Sequence, residues 1–324
     1  MSLSRRRFLA AAGASPLLAS PLLALEVDPH GRPLSRPDAT AIPPTRFEPW
    51  VEVSPSAMRF NVGVLSRLAG ARPILAVIKN NGYGLGVREV ARALEPDERV
   101  HGFGVVKVSE ALALREAGVR KPILLLALFD DAEGEALVRH GVTLSLCVPD
   151  AAERIARASA RARRPATAQL YIDTGMSRMG LPYHRALPLV REMARTPRLA
   201  LRGMLTELTE DRAFDTEQVR RLATLAEQAQ GAGVDIGGPL HAASSHAVFN
   251  HPDTHLGAVR PGISLFGAYP TDDGSERRIA ALQVALAVRA RVVRVEQMRI
   301  GDTVSYGRRF TADAPTWIAT IPVG

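Results

Sequence analysis

The chain has a single cysteine, Cys147, among its 324 residues, which excludes an intrachain disulfide. Cys147 lies in the apolar run 143–148, so the sequence predicts that its thiol packs in a strand. Aromatic residues are also few (5%), and they form no patch together with the basic residues, most of which are arginines scattered along apparent helices. The net charge of +8 therefore does not indicate nucleic-acid binding.

Three further patterns are absent from the sequence. The apolar N-terminal run is short and interrupted by Pro16 and Pro21, which excludes a good membrane span. No G-x-G-x-x-G motif opens the first helix after a strand, which disfavours a doubly wound dinucleotide-binding sheet. Histidines 241, 246, 251 and 255 lack a recognised ligand spacing and have no cysteine partner, so no metal site is predicted.

The N-terminus has the pattern of an export signal. Arg5, Arg6 and Arg7 precede a short apolar region and small residues that end near Ala24. This pattern predicts a twin-arginine signal peptide over residues 1–24 and a mature protein in the periplasm. The proline-rich residues 25–46 are predicted to form a linker.

Eight apolar, strand-like runs alternate with helical patterns over residues 47–274. The runs cover residues 74–79, 102–106, 122–127, 143–148, 168–173, 201–206, 240–244 and 259–266. Such alternation predicts an α/β fold of the (β/α)8 TIM-type barrel class, in which catalytic groups gather at the C-terminal ends of the strands. An open doubly wound sheet is the alternative.

The character of the sequence changes after the predicted barrel. Residues 285–295 alternate at period two, 300–303 suit a turn, and 318–322 are again strand-like. Residues 275–324 therefore predict a partial, mostly-β C-terminal domain. This stretch is too short to bury much core, so the predicted domain is incomplete.

One lysine ends a strand-like run. Lys79 ends the run 74–79, and a glycine-rich turn containing Tyr83 comes next. An amine held at the rim of an apolar core loses hydration, which favours the neutral form that makes a Schiff base or takes up a proton. The same pattern also fits a lysine that only extends its amine to water from a strand end.

The stretch 75–86 resembles the pyridoxal-phosphate lysine motif of the alanine racemase family, in which lysine, asparagine, tyrosine and glycine recur at this spacing. Four more stretches match that family in its order. They are residues 173–180, 241–245, 259–263 and 301–307.

The resemblance implies an enzyme that racemises amino acids by using two bases, with alanine as the expected substrate. Lys79 and Tyr306 would be the catalytic residues, acting on opposite faces of the substrate. Arg178 would bind the substrate carboxylate, a task suited to the bidentate guanidinium. In this family the tyrosine reaches the neighbouring subunit's site, which implies a homodimer.

The resemblance also implies pyridoxal 5'-phosphate as cofactor and names the residues that bind it. Arg260 would face its pyridine nitrogen and moderate the electron sink. The complete set of implied cofactor-binding residues is Lys79, Tyr83, His241, Ser245, Arg260, Gly262 and Ile263.

Two positions depart from the family pattern. Tyr171 stands where many members have a lysine that supports the substrate-binding arginine, so that support must come from elsewhere or be absent. Glu207 replaces the family's usual histidine, and we expect its carboxylate to pair with Arg260 and weaken the hold of that arginine on the ring nitrogen.

Three alternatives remain open at this point. A broad-spectrum periplasmic racemase shares the scaffold and fits the export signal. A non-catalytic pyridoxal-phosphate carrier would hold the cofactor without turnover, although Tyr306 and the partial β domain argue against it. An inactive fragment would follow if the missing β strands supply groups that the site needs.

Overall fold

The structure is a computed structural model that describes residues 48–271 and 274–323. The predicted signal peptide (1–24) and linker (25–46) lie outside these residues. The chain divides into two compact units. The barrel unit spans Pro55–Ala285, and the β unit contributes residues 48–54 and 286–323 to the described structure.

The strands are given in chain order. They are β1 (Trp50–Val53), β2 (Ile74–Val77), β3 (Val100–Val105), β4 (Ile123–Leu125), β5 (Leu144–Leu146), β6 (Ala166–Asp173), β7 (Leu181–Pro182), β8 (Leu199–Leu205), β9 (Leu240–His241), β10 (Leu286–Arg289), β11 (Arg294–Met298), β12 (Thr303–Val304), β13 (Phe310–Thr311) and β14 (Thr316–Thr320).

The right-handed α-helices alternate with the barrel strands. They are α1 (Pro55–Leu68), α2 (Val87–Leu94), α3 (Val108–Glu116), α4 (Asp131–Arg139), α5 (Ala151–Ala162), α6 (Ala186–Ala194), α7 (Arg212–Gly231) and α8 (Ser245–Asn250). Within the described ranges, no helix is long and apolar enough to cross a membrane.

The barrel unit closes into a ring of parallel strands. One parallel sheet has the order β2-β3-β4, and another has the order β5-β6-β8-β9. A bridge between Leu124 and Thr143 joins the two sheets, and residues 258–259 form parallel bridges to both β9 and β2. These contacts complete the ring of eight, so the predicted (β/α)8 barrel is confirmed.

The eighth predicted strand, 259–266, is wrong beyond its first residues. Val259 pairs with β2, and the carbonyl of Pro261 accepts the Val77 amide at 2.9 Å. Because Pro261 has no N–H to donate, the ladder cannot continue in regular form. Residues Ile263–Phe266 instead form a 3₁₀ turn.

The barrel interior is filled by side chains from several strands and their ends. A buried cluster consists of Leu124, Cys147, Tyr171 and Leu205. The prediction that Cys147 packs in the core is confirmed, although the residue directly follows β5 instead of lying within it. The candidate site lies at the C-terminal ends of the strands, and this cluster packs inside the barrel beneath those ends.

The β unit consists of short antiparallel pairs, as predicted for a mostly-β domain. β1 pairs with β10, β11 with β14, and β12 with β13. The single strand predicted over 285–295 is wrong, because its halves have different partners and the chain must leave one pair to enter the next. The turn predicted at 300–303 is confirmed.

Candidate functional site

Lys79 follows β2 at the C-terminal end of the barrel and begins a turn of unusual hand. The next four residues, Asn80, Asn81, Gly82 and Tyr83, have φ values of 55°, 56°, 62° and 57°. Left-handed backbone costs roughly 1–2 kcal/mol per non-glycine residue, and asparagine tolerates it better than most. The three non-glycine residues among these four store strain that the surrounding structure must offset.

Glu110 holds this left-handed turn from helix α3. The side chain is buried, and one carboxylate oxygen accepts the backbone N–H of Asn81 at 2.7 Å. The other oxygen accepts the amides of Val106 and Lys107, both at 3.2 Å. One carboxylate thus ties the turn after Lys79 to the end of the neighbouring strand.

Replacing Glu110 by glutamine is expected to lower the free energy of unfolding by about 2 kcal/mol, because a buried, charge-assisted acceptor of three backbone amides becomes neutral. Denaturant unfolding measures this loss. Glu116→Gln is the matched control, since Glu116 lies on the same helix and pairs with Arg88 at the surface. Equal stability of the two variants would contradict the role of Glu110.

Tyr83 and Gly262 meet closely across the site. A Cβ atom added at Gly262 would overlap the Tyr83 hydroxyl oxygen and lie 3.2 Å from the ring carbon that bears it. The Tyr83 ring packs on Phe266 with centroids 5.2 Å apart. Burial, followed by the charge of Glu207, raises the pKa of Tyr83 to about 12, so the hydroxyl keeps its proton at neutral pH.

Two serines lie at the start of α8, and the hydroxyl of the second contacts Gly262. The Ser245 hydroxyl accepts the amides of Gly262 at 3.0 Å and Ser264 at 3.3 Å. The Ser244 hydroxyl is buried and has no hydrogen-bond partner among the described residues. Ile263 follows Gly262 in the same segment, so the predicted residues 245, 262 and 263 are brought together.

Arg260 is buried and fixed by several acceptors. One terminal nitrogen of its guanidinium donates to His241 Nδ1 and to the His241 carbonyl, both at 2.8 Å. The other donates to the carbonyls of Thr206 at 2.6 Å and Ala242 at 3.1 Å. The Nε–H of Arg260 has no acceptor within the described ranges, which leaves one donor free on a rigid side chain.

His241 is neutral in this arrangement. Burial, followed by the charge of Arg260, holds its pKa well below the usual value. Its Nε2 lies 2.8 Å from Gln169 Oε1, so Nε2 carries the proton and Nδ1 accepts from Arg260. Gln169 was not predicted, because β6 also carries Thr167 and Asp173 and nothing in the sequence distinguishes Gln169 from them.

Glu207 pairs with Arg260, as expected from the sequence. Its Oε2 lies 3.2 Å from a terminal nitrogen of Arg260, and its side chain is 26% exposed. The charge of Glu207 also contributes to the raised pKa of Tyr83 and of Tyr171.

Arg178 is exposed and lies in a loop built on Asp173, whose Oδ1 accepts the amides of Gly175 at 2.9 Å and Ser177 at 3.0 Å. Tyr171 is buried, and burial is the main cause of its raised pKa. The charges of Arg260 and Arg178 oppose that rise. Tyr171 therefore lies close enough to Arg178 to interact with its charge. Arg178 is the arginine for which the sequence indicated no supporting lysine.

Tyr306 belongs to the β unit, where it begins the 3₁₀ turn Tyr306–Arg308 and is 98% exposed. The other predicted site residues all belong to the barrel unit. Glu110 carried no sequence signal of its role, because its contact with Asn81 joins residues 29 positions apart.

Comparison with known proteins gives consistent matches. The family profile "Alanine racemase, N-terminal domain" matches residues 53–270, and "Alanine racemase, C-terminal domain" matches 285–324. Alanine racemases of Desulforamulus reducens and Carboxydothermus hydrogenoformans are each 34% identical, and each alignment covers 85% of this chain and 75% of the relative.

Solved structures match in the same way. An alanine racemase of Clostridium difficile 630 aligns with a TM-score of 0.78 at 28% identity, covering 85% of this chain and 73% of that one. A histidine racemase of Leuconostoc mesenteroides aligns with a TM-score of 0.76 at 26% identity, covering 87% and 76%.

Proposed function

This chain belongs to the alanine racemase family and is an amino-acid racemase, and from that premise we propose that it interconverts L- and D-alanine with pyridoxal 5'-phosphate held by Lys79. The observation that carries the proposal is the placement of Lys79, Tyr83, Arg260 and Gly262 around one end of the barrel. This is the end where barrels of this class bind and react with their ligands.

The residues present fit the proposed cofactor. The missing side chain at Gly262 and the unpartnered Ser244 hydroxyl suit a phosphate, which Ser245, Tyr83 and the Ile263 amide would help to bind. The free Nε–H of Arg260 suits a ring nitrogen that accepts a hydrogen bond, and His241 keeps the guanidinium in place. When bound, pyridoxal phosphate supplies the electron sink that acidifies the Cα–H bond of an amino acid.

The side chains of this chain divide the remaining work. Arg178 binds the substrate carboxylate, which fixes the orientation of Cα. The Lys79 amine exchanges a proton with Cα on one face, and the Tyr306 hydroxyl of a second copy does so on the other. Inversion at carbon needs a proton donor and acceptor on opposite faces, which one lysine alone does not provide.

A chiral assay tests the proposal directly. The purified protein loaded with pyridoxal phosphate is expected to convert L-alanine into an equal mixture of both enantiomers, since enantiomers have the same free energy in water. A visible absorbance band from the bound cofactor, without inversion of any amino acid, would mean a cofactor-binding protein without turnover. That outcome would contradict the proposed activity.

Replacing Tyr306 by phenylalanine is expected to lower racemisation by roughly 10²- to 10⁴-fold, the usual contribution of one acid–base group. Since Lys79 remains, one enantiomer of alanine should still exchange its Cα proton with deuterated water, whereas exchange of the other should be lost. Proton NMR measures both rates.

Tyr183→Phe is the matched control for this experiment, because Tyr183 also begins a 3₁₀ turn but lies in the barrel unit. It should leave racemisation unchanged. Equal loss of exchange for both enantiomers in Tyr306→Phe would contradict the assignment of Lys79 and Tyr306 as the two bases.

We also propose that residues 1–24 direct export to the periplasm and that the working enzyme is a homodimer. The twin arginines and the exposed Tyr306 support these proposals. Cell fractionation after changing Arg5, Arg6 and Arg7 to lysine tests the first, since the protein should then stay in the cytoplasm. Sedimentation of the holoenzyme tests the second, which a purely monomeric active form would contradict.

A further inference from the structure

Glu207 brings a carboxylate to the mouth of the barrel. The residue comes two positions after β8, at the same end as Lys79 and Arg260. One carboxylate oxygen pairs with Arg260 at 3.2 Å, and the other has no partner among the described residues. Because the side chain is 26% exposed, that second oxygen is accessible to a ligand entering the site.

The Glu207 charge reaches across the mouth. It acts on Tyr83, which follows β2, and on Tyr171 in β6, and these strands lie on different sides of the ring. The carboxylate of Glu207 is therefore within electrostatic range of side chains on both sides of the opening. Any charged group of a substrate bound there comes within its range.

The backbone at Glu207 is fixed independently of its carboxylate. The buried side chain of Gln218 donates to the Glu207 carbonyl at 2.9 Å and to the Thr174 hydroxyl at 3.2 Å. The side-chain Oε1 of Gln218 accepts the Thr209 backbone N–H at 3.0 Å. The loop that carries Glu207 therefore keeps its place whatever the carboxylate binds.

Arg260 does not need Glu207 either. Four other acceptors already hold its guanidinium at 2.6–3.1 Å, from His241, Thr206 and Ala242. A partly exposed carboxylate that neither the loop nor the arginine requires for its position is free to act on a ligand. Its charge also offsets that of Arg260, which would otherwise attract anionic side chains into the mouth.

Resting on the proposed racemase function, we propose that Glu207 is a specificity-determining residue that favours amino acids with a cationic side chain over uncharged ones of similar length. Substrates of this class include lysine, ornithine and arginine. With Arg178 bound to the α-carboxylate, the unpartnered oxygen of Glu207 is the acceptor offered to an ammonium or guanidinium group. The same charge disfavours aspartate and glutamate as substrates.

The test compares two substrates that differ in side-chain charge. L-lysine and L-norleucine have the same straight carbon chain, and lysine adds the ammonium group. The holoenzyme and its Glu207→Gln variant are assayed for kcat/KM with each. The lysine-to-norleucine ratio is expected to fall about tenfold in Glu207→Gln, the effect of losing one partly exposed charge contact.

Glu210→Gln is the matched control, because Glu210 lies on the same loop and is exposed. The lysine-to-norleucine ratio of kcat/KM in Glu210→Gln should equal that of the unchanged enzyme. An unchanged ratio in Glu207→Gln, with racemisation intact, would overturn this inference alone. No racemisation of alanine, lysine or norleucine by the unchanged enzyme would overturn the proposed function as well. If Glu207→Gln does not fold, a ratio at or below one in the unchanged enzyme contradicts the proposal.

Discussion

Lys79→Ala is expected to lower the racemisation of L-alanine by at least about 10³-fold, because the change removes both the attachment point of the cofactor and one of the two proposed bases. The visible band of the bound cofactor should disappear together with the activity. Absorbance and the chiral assay measure the two effects on the same sample. Free amines added to the buffer should restore at most part of the rate.

The lysine content of the chain makes this prediction easy to control. Lys79, Lys107 and Lys121 are the three lysines of the sequence. Lys107→Ala removes the same charge at an exposed position and should leave band and activity unchanged. Reduction of the loaded protein with borohydride should label the peptide that contains Lys79, and a label found on another lysine would refute the assignment.

Gly262→Ala is expected to weaken cofactor binding by about 10- to 100-fold, the effect of overpacking by one methyl group at a fixed site. The new Cβ would overlap the Tyr83 hydroxyl and lie only 3.2 Å from the ring carbon that bears it. Tyr83 cannot yield easily, because its own backbone lies in the left-handed turn and its ring rests on Phe266. Titration with pyridoxal phosphate, followed by absorbance, measures the loss.

A second glycine provides the comparison for this variant. Gly231 ends helix α7, has nothing within 4 Å of an added Cβ, and does not need a left-handed φ. Gly231→Ala should therefore leave cofactor binding unchanged. Adding Tyr83→Phe to Gly262→Ala removes the overlapping oxygen and should restore part of the affinity. Binding by Gly262→Ala as tight as by Gly231→Ala would contradict a role for the space beside Gly262 in holding the cofactor.

The barrel could be predicted because its cause is local. Each strand but the last is an apolar run followed by a helical pattern. The spacing of apolar residues typical of strands and the spacing typical of helices are both visible in the sequence. The prediction of an eighth strand over 259–266 is wrong after Pro261, which interrupts the hydrogen-bond ladder. The apolar residues around this proline made the whole run look like a strand. The run 285–295 failed because strand partners, which no local pattern shows, divide it between two pairs.

The sequence motifs proposed residues for the candidate site but did not predict its geometry. Lys79, Ser245 and Arg260 were found through motifs. The left-handed turn after Lys79 was not, because Asn80 and Asn81 accept several conformations and the choice depends on Glu110 from another helix. Gln169 lies 72 positions from His241, and contacts of such separation follow only from the closed barrel.

Cys147 gives the barrel an internal chemical reporter. Burial raises the pKa of its thiol to about 11, so almost no reactive thiolate exists at neutral pH. Alkylating reagents and oxidants therefore modify this atom chiefly when the strands around it separate. As the chain's one thiol, it produces a single signal, and the rate of its labelling measures how often the barrel opens.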